Sequence, residues 1–308
     1  QEVMTNLDPI VRALREQLPE LEILEYEPMR AHCSFRIGGP ARALVRPASA
    51  EETAAVCRIV RGGGAQPLLI GNGTNLLITD GDVDRIVVQM GERMADVART
   101  DATHLRAGAG IPLARLAQAA LGYGLAGLEF AHGIPGSLGG AVCMNAGAYG
   151  GEMRQVVTEV TALYPDGIRR LTGPEAAFTY RHSRFLADGA VVLGAVVRLT
   201  PDDPAAIRQR MDDLMARRKA SQPLEWPSAG STFKRPEGYY AGTLIDQTGL
   251  KGLSCGDAQV SKKHAGFVVN TGHASARDVL NVIHEVQARV EQAHGVHLEP
   301  EVRIIGED

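Results

Sequence analysis

Apolar residues along this chain fall into two patterns, helical spacing and short unbroken runs. Leu7, Ile10, Val11, Leu14 and Leu18 share one face of a helix over residues 7–18, which Pro19 ends. Leu21, Ile23, Leu24 and Tyr26 predict an extended segment, and Ala43-Leu44-Val45-Arg46-Pro47 a short strand. Residues 50–61 predict a helix with Ser49 as N-cap and Ala55, Val56, Ile59 and Val60 on its apolar face, stopped by Gly62-Gly63-Gly64. Pro67-Leu68-Leu69-Ile70 is a continuous apolar run bounded by glycine, which reads as a buried strand. Strand, helix and strand in this order predict a small α/β lobe.

The middle of the chain changes period. Arg85-Ile86-Val87-Val88 and His104 to Gly110 predict strands, and residues 111–121 a helix with Pro112 in its first turn. Val156 to Tyr164 and Ile168 to Leu171, joined by Pro165-Asp166-Gly167, predict a hairpin, and Ala190 to Leu199 a long strand. Residues 86–199 are thus expected to be mostly β, with one or two helices. Pro201 to Pro204 marks a boundary. Ile207, Met211, Leu214 and Met215 then predict a helix over 204–219 that ends in Arg217, Arg218 and Lys219. Cations there suit a helix C-terminus or would contact a ligand phosphate. A short helix over 239–248 and a strand from Gly266 to Asn270 follow. Ser275 and Asp278 form a capping box before a helix carrying Val279, Leu280, Ile283, Val286 and Val290, and a strand closes the chain at Glu299 to Ile305.

Two glycine-rich stretches carry the candidate chemistry. Gly71-Asn72-Gly73-Thr74-Asn75-Leu76-Leu77 follows the buried strand. Successive backbone N–H groups in such a turn form an anion-binding concavity, although a plain turn between strands has the same composition. Residues 133–151 contain Gly133, Gly136, Gly139, Gly140, Gly147, Gly150 and Gly151 in an apolar setting. That composition suits close approach to a flat or phosphorylated ligand, or a crossing of packed elements. Gly122-Tyr123-Gly124-Leu125-Ala126-Gly127 matches the dinucleotide pattern GxGxxG, but it follows a helix where the motif must follow a strand. Its glycines are expected to end that helix.

Composition narrows the classes. The 308 residues are 44% hydrophobic and 22% charged, as in a globular protein with a sizeable core, and the net charge of −4 gives no reason to expect nucleic acid or an anionic membrane as partner. No apolar run approaches the roughly 20 residues of a membrane span, and charged residues interrupt the N-terminus early, so a cytoplasmic location is expected. Four dispersed cysteines, Cys33, Cys57, Cys143 and Cys255, form no CxxC pair and are expected to be reduced, and the nine histidines form no HExxH motif, so no metal is expected.

Several segments together resemble one family, the flavin-dependent UDP-N-acetylenolpyruvoylglucosamine reductases of bacterial cell-wall synthesis. They are Phe35-Arg36-Ile37-Gly38-Gly39-Pro40, the Gly71 loop, the Gly133–Gly151 stretch, Tyr180-Arg181-His182-Ser183-Arg184-Phe185, Ala229-Gly230-Ser231-Thr232-Phe233-Lys234, Lys263-His264-Ala265-Gly266-Phe267 and Glu299-Pro300-Glu301-Val302-Arg303. They occur in the family's order from about residue 33 to the end, and the chain resembles the shorter branch that lacks a substrate-clamping tyrosine loop.

The resemblance implies an α+β fold: a two-lobed FAD-binding unit of the vanillyl-alcohol-oxidase (PCMH) type followed by a C-terminal α+β substrate domain. Its divisions would be residues 1–84 with 299–308, then 85–200, then 201–298 for the UDP-sugar. FAD, held non-covalently, would contact Arg36, Ile70, Gly71, Asn72, Gly73, Thr74, Asn75 and Leu76 on one side. On the other it would contact Pro135, Gly136, Ser137, Gly139, Gly140 and Asn145. Lys219, Tyr180 and His264 would contact the substrate.

The implied reaction reduces the enolpyruvyl ether of UDP-N-acetylglucosamine to UDP-N-acetylmuramate, with hydride passing from NADPH through FAD in a ping-pong cycle. Negative charge builds on the substrate carboxylate, which needs a cation or donor, and the neighbouring carbon needs an acid. The family pattern assigns these roles to Arg181, Ser231 and Glu301. A guanidinium suits a carboxylate because it is bidentate and always charged. By themselves, Ser231 reads first as a turn or cap hydroxyl, and Glu301 also as a strand-edge partner of Arg303 or another cation. An apolar setting of Val302, Ile304 and Ile305 would raise the Glu301 pKa and keep it protonated. A monomer acting on UDP-N-acetylglucosamine enolpyruvate and NADPH is expected. The rivals are another flavin oxidase or dehydrogenase of this superfamily acting on a sugar or lactone, and a flavin- or nucleotide-binding module without chemistry.

Overall fold

Local signals set most of the helices. Ser49 takes an extended backbone and its hydroxyl accepts the Glu52 N–H at 3.0 Å, opening the helix Ala50–Gly62, which buries Val56, Cys57 and Val60. Ser275 and Asp278 form the expected reciprocal capping box at the head of Ala276–His294. Asp278 is held below the usual carboxylate range chiefly by the backbone N–H of Ser275. Gly295, in the left-handed region with φ 66°, ends that helix.

The computed structural model describes residues 6–306, so the outermost residues of the expected first division, 1–5 and 307–308, lie outside the described residues. The chain forms two compact units. Among the described residues, the first comprises 6–25, 43–72 and 85–217, and the second 26–42, 73–84 and 218–306. Both mix helices and strands, an α+β organisation.

In the first unit, one sheet runs in the order Glu22–Pro28, Pro40–Arg46, Val83–Gln89 and Leu68–Ile70. Leu68–Ile70 pairs in parallel with Val87 to Gln89, a strand that lies between it and Pro40–Arg46, so the two strands flanking the helix Ala50–Gly62 are not direct neighbours. The second sheet has five strands in the order Gly167–Thr172, Val157–Tyr164, Val191–Arg198, His104–Gly108 and Val97–Arg99. Its first pair is the expected hairpin, with Tyr164 opposite Gly167. A single apolar core joins the two sheets and the helices Asp8–Gln17, Ala50–Gly62 and Leu113–Gly122, through residues such as Leu14, Val60, Ile86, Leu105 and Leu116. The helix Leu113–Gly122 ends at Tyr123, and Gly124 has φ 65°, so the GxGxxG match is a helix terminus.

Between residues 86 and 199 the structure has the helices Leu113–Gly122, Leu138–Cys143 and Arg184–Asp188, one more than expected. Leu138–Cys143 begins Leu-Gly-Gly, a poor helical sequence by propensity. Burial of Leu138, Ala141 and Val142 overrides it.

In the second unit, Ser228–Ser231, Phe267–Asn270, Ala258–Val260 and Ser254–Cys255 form an antiparallel sheet in that order, with the helix Ala276–His294 against it. The segment around residue 34 is tied to this sheet: Ser34 Oγ donates to the Ser228 carbonyl at 2.6 Å and Asn270 Nδ2 to the Phe35 carbonyl at 3.1 Å. Arg303–Ile305 pairs in parallel with Leu76–Ile78. Cys33 and Cys57 are buried and burial pushes both thiols up, whereas Cys143 and Cys255 are partly exposed. No helix among the described residues is long and apolar enough to cross a membrane.

Ser275→Ala removes one half of the capping box and is expected to cost about 1 kcal/mol, read as a lower midpoint in urea unfolding. The depressed Asp278 pKa makes its contribution present above the unfolded-state value near 3.8 and lost as pH falls through the lower folded value. The difference between the two proteins should therefore shrink in acid.

Candidate functional site

The two glycine-rich stretches meet inside the first unit. A Cβ placed on Gly71 would lie 2.1 Å from Ser137 Oγ, so the backbone after the buried strand rests directly on the head of the second stretch. Gln89 Nε2 donates to the Gly71 carbonyl at 3.3 Å from the neighbouring strand. Gly136 has φ 122°, and its carbonyl accepts the Leu113 N–H at 3.0 Å. Leu138 and Gly139 donate to the Ile111 and Ala109 carbonyls, each at 2.9 Å, and a Cβ on Gly139 would sit 3.0 Å from that of Ala109. Close packing within the protein is thus sufficient reason for glycine at 71 and 139. Gly140 differs: it is exposed, and a Cβ there would meet nothing within 4 Å. Gly140 therefore leaves backbone open to a flat ligand, and Pro135 is exposed too.

Gly73, Thr74 and Asn75 belong to the second unit. Gly73 has φ 62°, and a Cβ on it would lie 2.2 Å from the His32 carbonyl, so only glycine fits there. Ser34 N–H donates to the Gly73 carbonyl at 3.1 Å. Asn72 is exposed, Thr74 and Asn75 are half-buried, and Ile70 and Leu76 are buried strand residues that present backbone only. Leu76 and Leu77 are already strand, so the loop is shorter than expected. Arg36 is exposed on a left-handed turn, φ 57°, that its N–H closes onto the Cys33 carbonyl at 3.2 Å.

A backbone strap in the same unit joins the proton-donor candidate to the phosphate-type loop. Ser231 ends a strand, and the register shift between Ser228 and Ser231 is a bulge at Ala229-Gly230. Bulges re-aim side chains, and Gly230, φ 75°, supplies the bend. Ser231 is exposed while Thr232 beside it is buried. The Glu301 N–H donates to the Thr232 carbonyl at 2.8 Å, and Asn75 Nδ2 donates to the Glu301 carbonyl at 3.1 Å. Thr232 Oγ1 accepts the Val268 N–H at 2.9 Å. Thr232 is therefore the pivot of this group, and sequence reasoning passed over it because a threonine between two motif residues carries no signal of its own. Glu301 is half-buried beside buried Val302 and Ile305. Ile304 is 45% exposed and does not contribute to the apolar setting expected of it, because it faces away from its buried strand neighbour Ile305.

His264 is half-buried with its ring edge-on to Phe267, centroids 4.9 Å apart. Its Nδ1 accepts the Gly266 N–H at 3.1 Å, which leaves Nε2 as the protonated nitrogen. Burial, and then the charge of Lys251, hold its pKa below the ordinary value, so the ring is neutral at pH 7. Lys219 is exposed, and its carbonyl accepts a 2.7 Å bond from Lys263 Nζ, a cation the sequence reading left unassigned.

Tyr180 and Arg181 form the tip of a two-residue turn in the first unit. Thr179 and His182 exchange backbone bonds of 3.0 and 3.3 Å across it. Tyr180 is 53% exposed, and the Arg181 guanidinium lies 5.1 Å from its ring centroid and 3.4 Å from the Gly147 carbonyl. Asn145, expected at the cofactor, is fully buried, and its amide is engaged by Thr179, Glu152 and Arg154.

Comparison with known proteins decides the family. The chain is 47% identical to the UDP-N-acetylenolpyruvoylglucosamine reductase of Agathobacter rectalis over 309 aligned positions, covering 96% of this chain and 98% of that one. The chain belongs to the UDP-N-acetylenolpyruvoylglucosamine reductase family. The enzyme of that name from Limosilactobacillus fermentum is 48% identical, with 94% of this chain and 96% of the relative covered. Residues 222–305 match the family's C-terminal domain and residues 41–172 an FAD binding domain. The crystal structure of the Thermus caldophilus reductase superposes with a TM-score of 0.78 at 34% identity, covering 93% of this chain and 99% of that one. The expected fold class and FAD therefore stand. Within the first unit, the bare backbone at Gly140 and the positive φ of Gly136 fit such a flat group.

Gly71→Ala is expected to destabilise the protein by about 1–3 kcal/mol, the scale of overpacking, and to lower the amount of FAD that copurifies. Adding Ser137→Gly in the same chain removes the clashing hydroxyl and should restore part of both. Thermal unfolding and the visible spectrum read the two effects.

Proposed function

We propose that this chain is an NADPH-dependent flavoenzyme that reduces UDP-N-acetylglucosamine enolpyruvate to UDP-N-acetylmuramate for peptidoglycan synthesis. The observation that carries the reading is the Ser231–Thr232–Glu301–Asn75 strap: the glutamate that the family pattern assigns bonds by its N–H to the carbonyl of Thr232, next to the assigned proton donor Ser231, and by its carbonyl to the Asn75 side chain of the phosphate-type loop. An oxidase of the wider superfamily has no need of this arrangement.

Bound FAD, recharged by NADPH, supplies the hydride for the enolpyruvyl carbon. Every other role falls to the chain's own residues. Arg181 binds the substrate carboxylate and stabilises the negative charge that builds there. Ser231, exposed beyond its bulge, donates the proton to the neighbouring carbon. Glu301 supports the enolate stage as a protonated donor. Lys219 meets the nucleotide diphosphate, and Tyr180 and neutral His264 contact the sugar portion. The Gly71 to Leu76 loop, with Arg36, holds the cofactor by backbone N–H groups, and Pro135 to Gly140 pass beside it, without a covalent link. The proposal includes the division of the chain into two FAD-binding parts and a UDP-sugar part, a monomeric state and a cytoplasmic location.

Anaerobic titration tests it. NADPH should bleach the flavin band near about 450 nm, and UDP-N-acetylglucosamine enolpyruvate alone should restore it, as a ping-pong cycle requires. Reduction without reoxidation by the enolpyruvyl sugar would discard the substrate. Ser231→Ala should slow reoxidation by about 10²–10⁴-fold and leave reduction by NADPH intact. Glu301→Gln, which keeps a donor in place of a protonated acid, should retain more activity than Glu301→Ala; the reverse order would show that a carboxylate charge is required.

A further inference from the structure

Asn145 belongs to the glycine-rich stretch, yet its side chain is turned wholly into the protein. It is 0% exposed. Nδ2 donates to Glu152 Oε2 at 2.8 Å and to the Thr179 carbonyl at 3.0 Å, and Oδ1 accepts the Arg154 N–H at 2.9 Å. An asparagine amide has two donor hydrogens, and both are used here. No side-chain donor is left for a cofactor. The backbone is left-handed, φ 43°, a conformation that asparagine tolerates better than most residues.

The Thr179 carbonyl is the informative partner. The same oxygen accepts the His182 N–H that closes the turn carrying Tyr180 and Arg181. Arg181 is itself left-handed, φ 52°, a strain that the surroundings must offset. Two further ties hold the turn to the same segment. Ser183 Oγ donates to the Cys143 carbonyl at 2.8 Å, and the Arg181 guanidinium reaches the Gly147 carbonyl at 3.4 Å. Residues 145, 147 and 143 thus grip the turn before, at and after its tip, at Thr179, Arg181 and Ser183. Asn145 is the central tie, and Glu152 braces it: one carboxylate oxygen takes the Asn145 amide, the other pairs with Arg154.

We propose that Asn145 is a positioning residue for Arg181. It fixes, through the Thr179 carbonyl, the strained two-residue turn that aims the guanidinium at the substrate carboxylate. Recognition of a carboxylate by a guanidinium is directional, so a displacement of about 1 Å at this tip is expected to cost on the order of 10²-fold in rate. The inference rests on the reductase reading given above and adds to it the reason for a fully buried amide in this stretch.

The test uses the FAD-loaded full chain and the variant Asn145→Gly, which keeps the left-handed backbone and removes the amide. Expected are a loss of about 10–100-fold in kcat/KM for UDP-N-acetylglucosamine enolpyruvate, an unchanged rate of flavin reduction by NADPH and an unchanged FAD content. The deciding readout is a double-mutant cycle with Arg181→Ala. Asn145→Gly should cost little in the Arg181→Ala background, both in kcat/KM and in the calorimetric affinity of the oxidised protein for the enolpyruvyl sugar. Additive losses, or an equal loss in the NADPH half-reaction, would overturn the proposal. If Asn145→Gly gives no folded protein, Glu152→Ala, which removes the brace on the Asn145 amide, carries the same cycle with the same two outcomes. A wild-type protein that never turns over the enolpyruvyl sugar overturns both readings; an active wild type with additive variants overturns this one alone.

Discussion

The second unit depends on a short parallel ladder between Leu76–Ile78 and Arg303–Ile305. It joins segments from opposite ends of the chain, so its closure entropy must be offset by burial, which Leu77, Ile78, Val302 and Ile305 supply. The ladder also sets the register of everything just before it. Arg303 N–H reaches the Asn75 carbonyl at 2.9 Å, Asn75 Nδ2 returns a bond to the Glu301 carbonyl, and Glu301 N–H reaches Thr232. A shift of one residue would turn Glu301 to the other face of the strand and break each of these bonds.

Backbone strain gathers at the candidate residues. Among the described residues, those other than glycine with positive φ are Tyr26, Arg36, Asn145, Tyr149, Ala177 and Arg181. Arg36, Asn145 and Arg181 were all singled out by the family motifs. Such conformations persist where neighbouring bonds over-determine them, and here those bonds are visible: Arg36 N–H to Cys33, the Asn145 amide to three partners, and the closed turn at Arg181. The strain places an arginine at the tip of a tight turn, where its side chain projects from a rigid base.

The glycines divide by what faces them. Gly71, Gly73 and Gly139 are pressed against protein atoms, and Gly140 faces open space. A glycine-rich stretch therefore serves two ends at once: it lets loops approach each other closely, and at one position it leaves backbone bare for a ligand. Composition alone cannot separate the two uses, because both ask only for the absence of a Cβ.

What the sequence determined by itself is what local chemistry encodes. The helices Ala50–Gly62 and Ala276–His294, the Ser49 cap, the Ser275–Asp278 box, the hairpin through Gly167 and the rejection of the GxGxxG match all follow from period and capping within a few residues. The ordered motifs also marked Arg181, Ser231 and Glu301, since a family pattern survives as residue identities. Tertiary structure alone decided the partners. It chose Leu76–Ile78 for the last strand, made a helix of Leu138–Cys143 against its propensity, exposed Ile304, and committed the Asn145 amide to Thr179 and Glu152. These outcomes depend on atoms from seven to more than two hundred residues away in sequence, where burial and hydrogen-bond satisfaction outweigh the local preference.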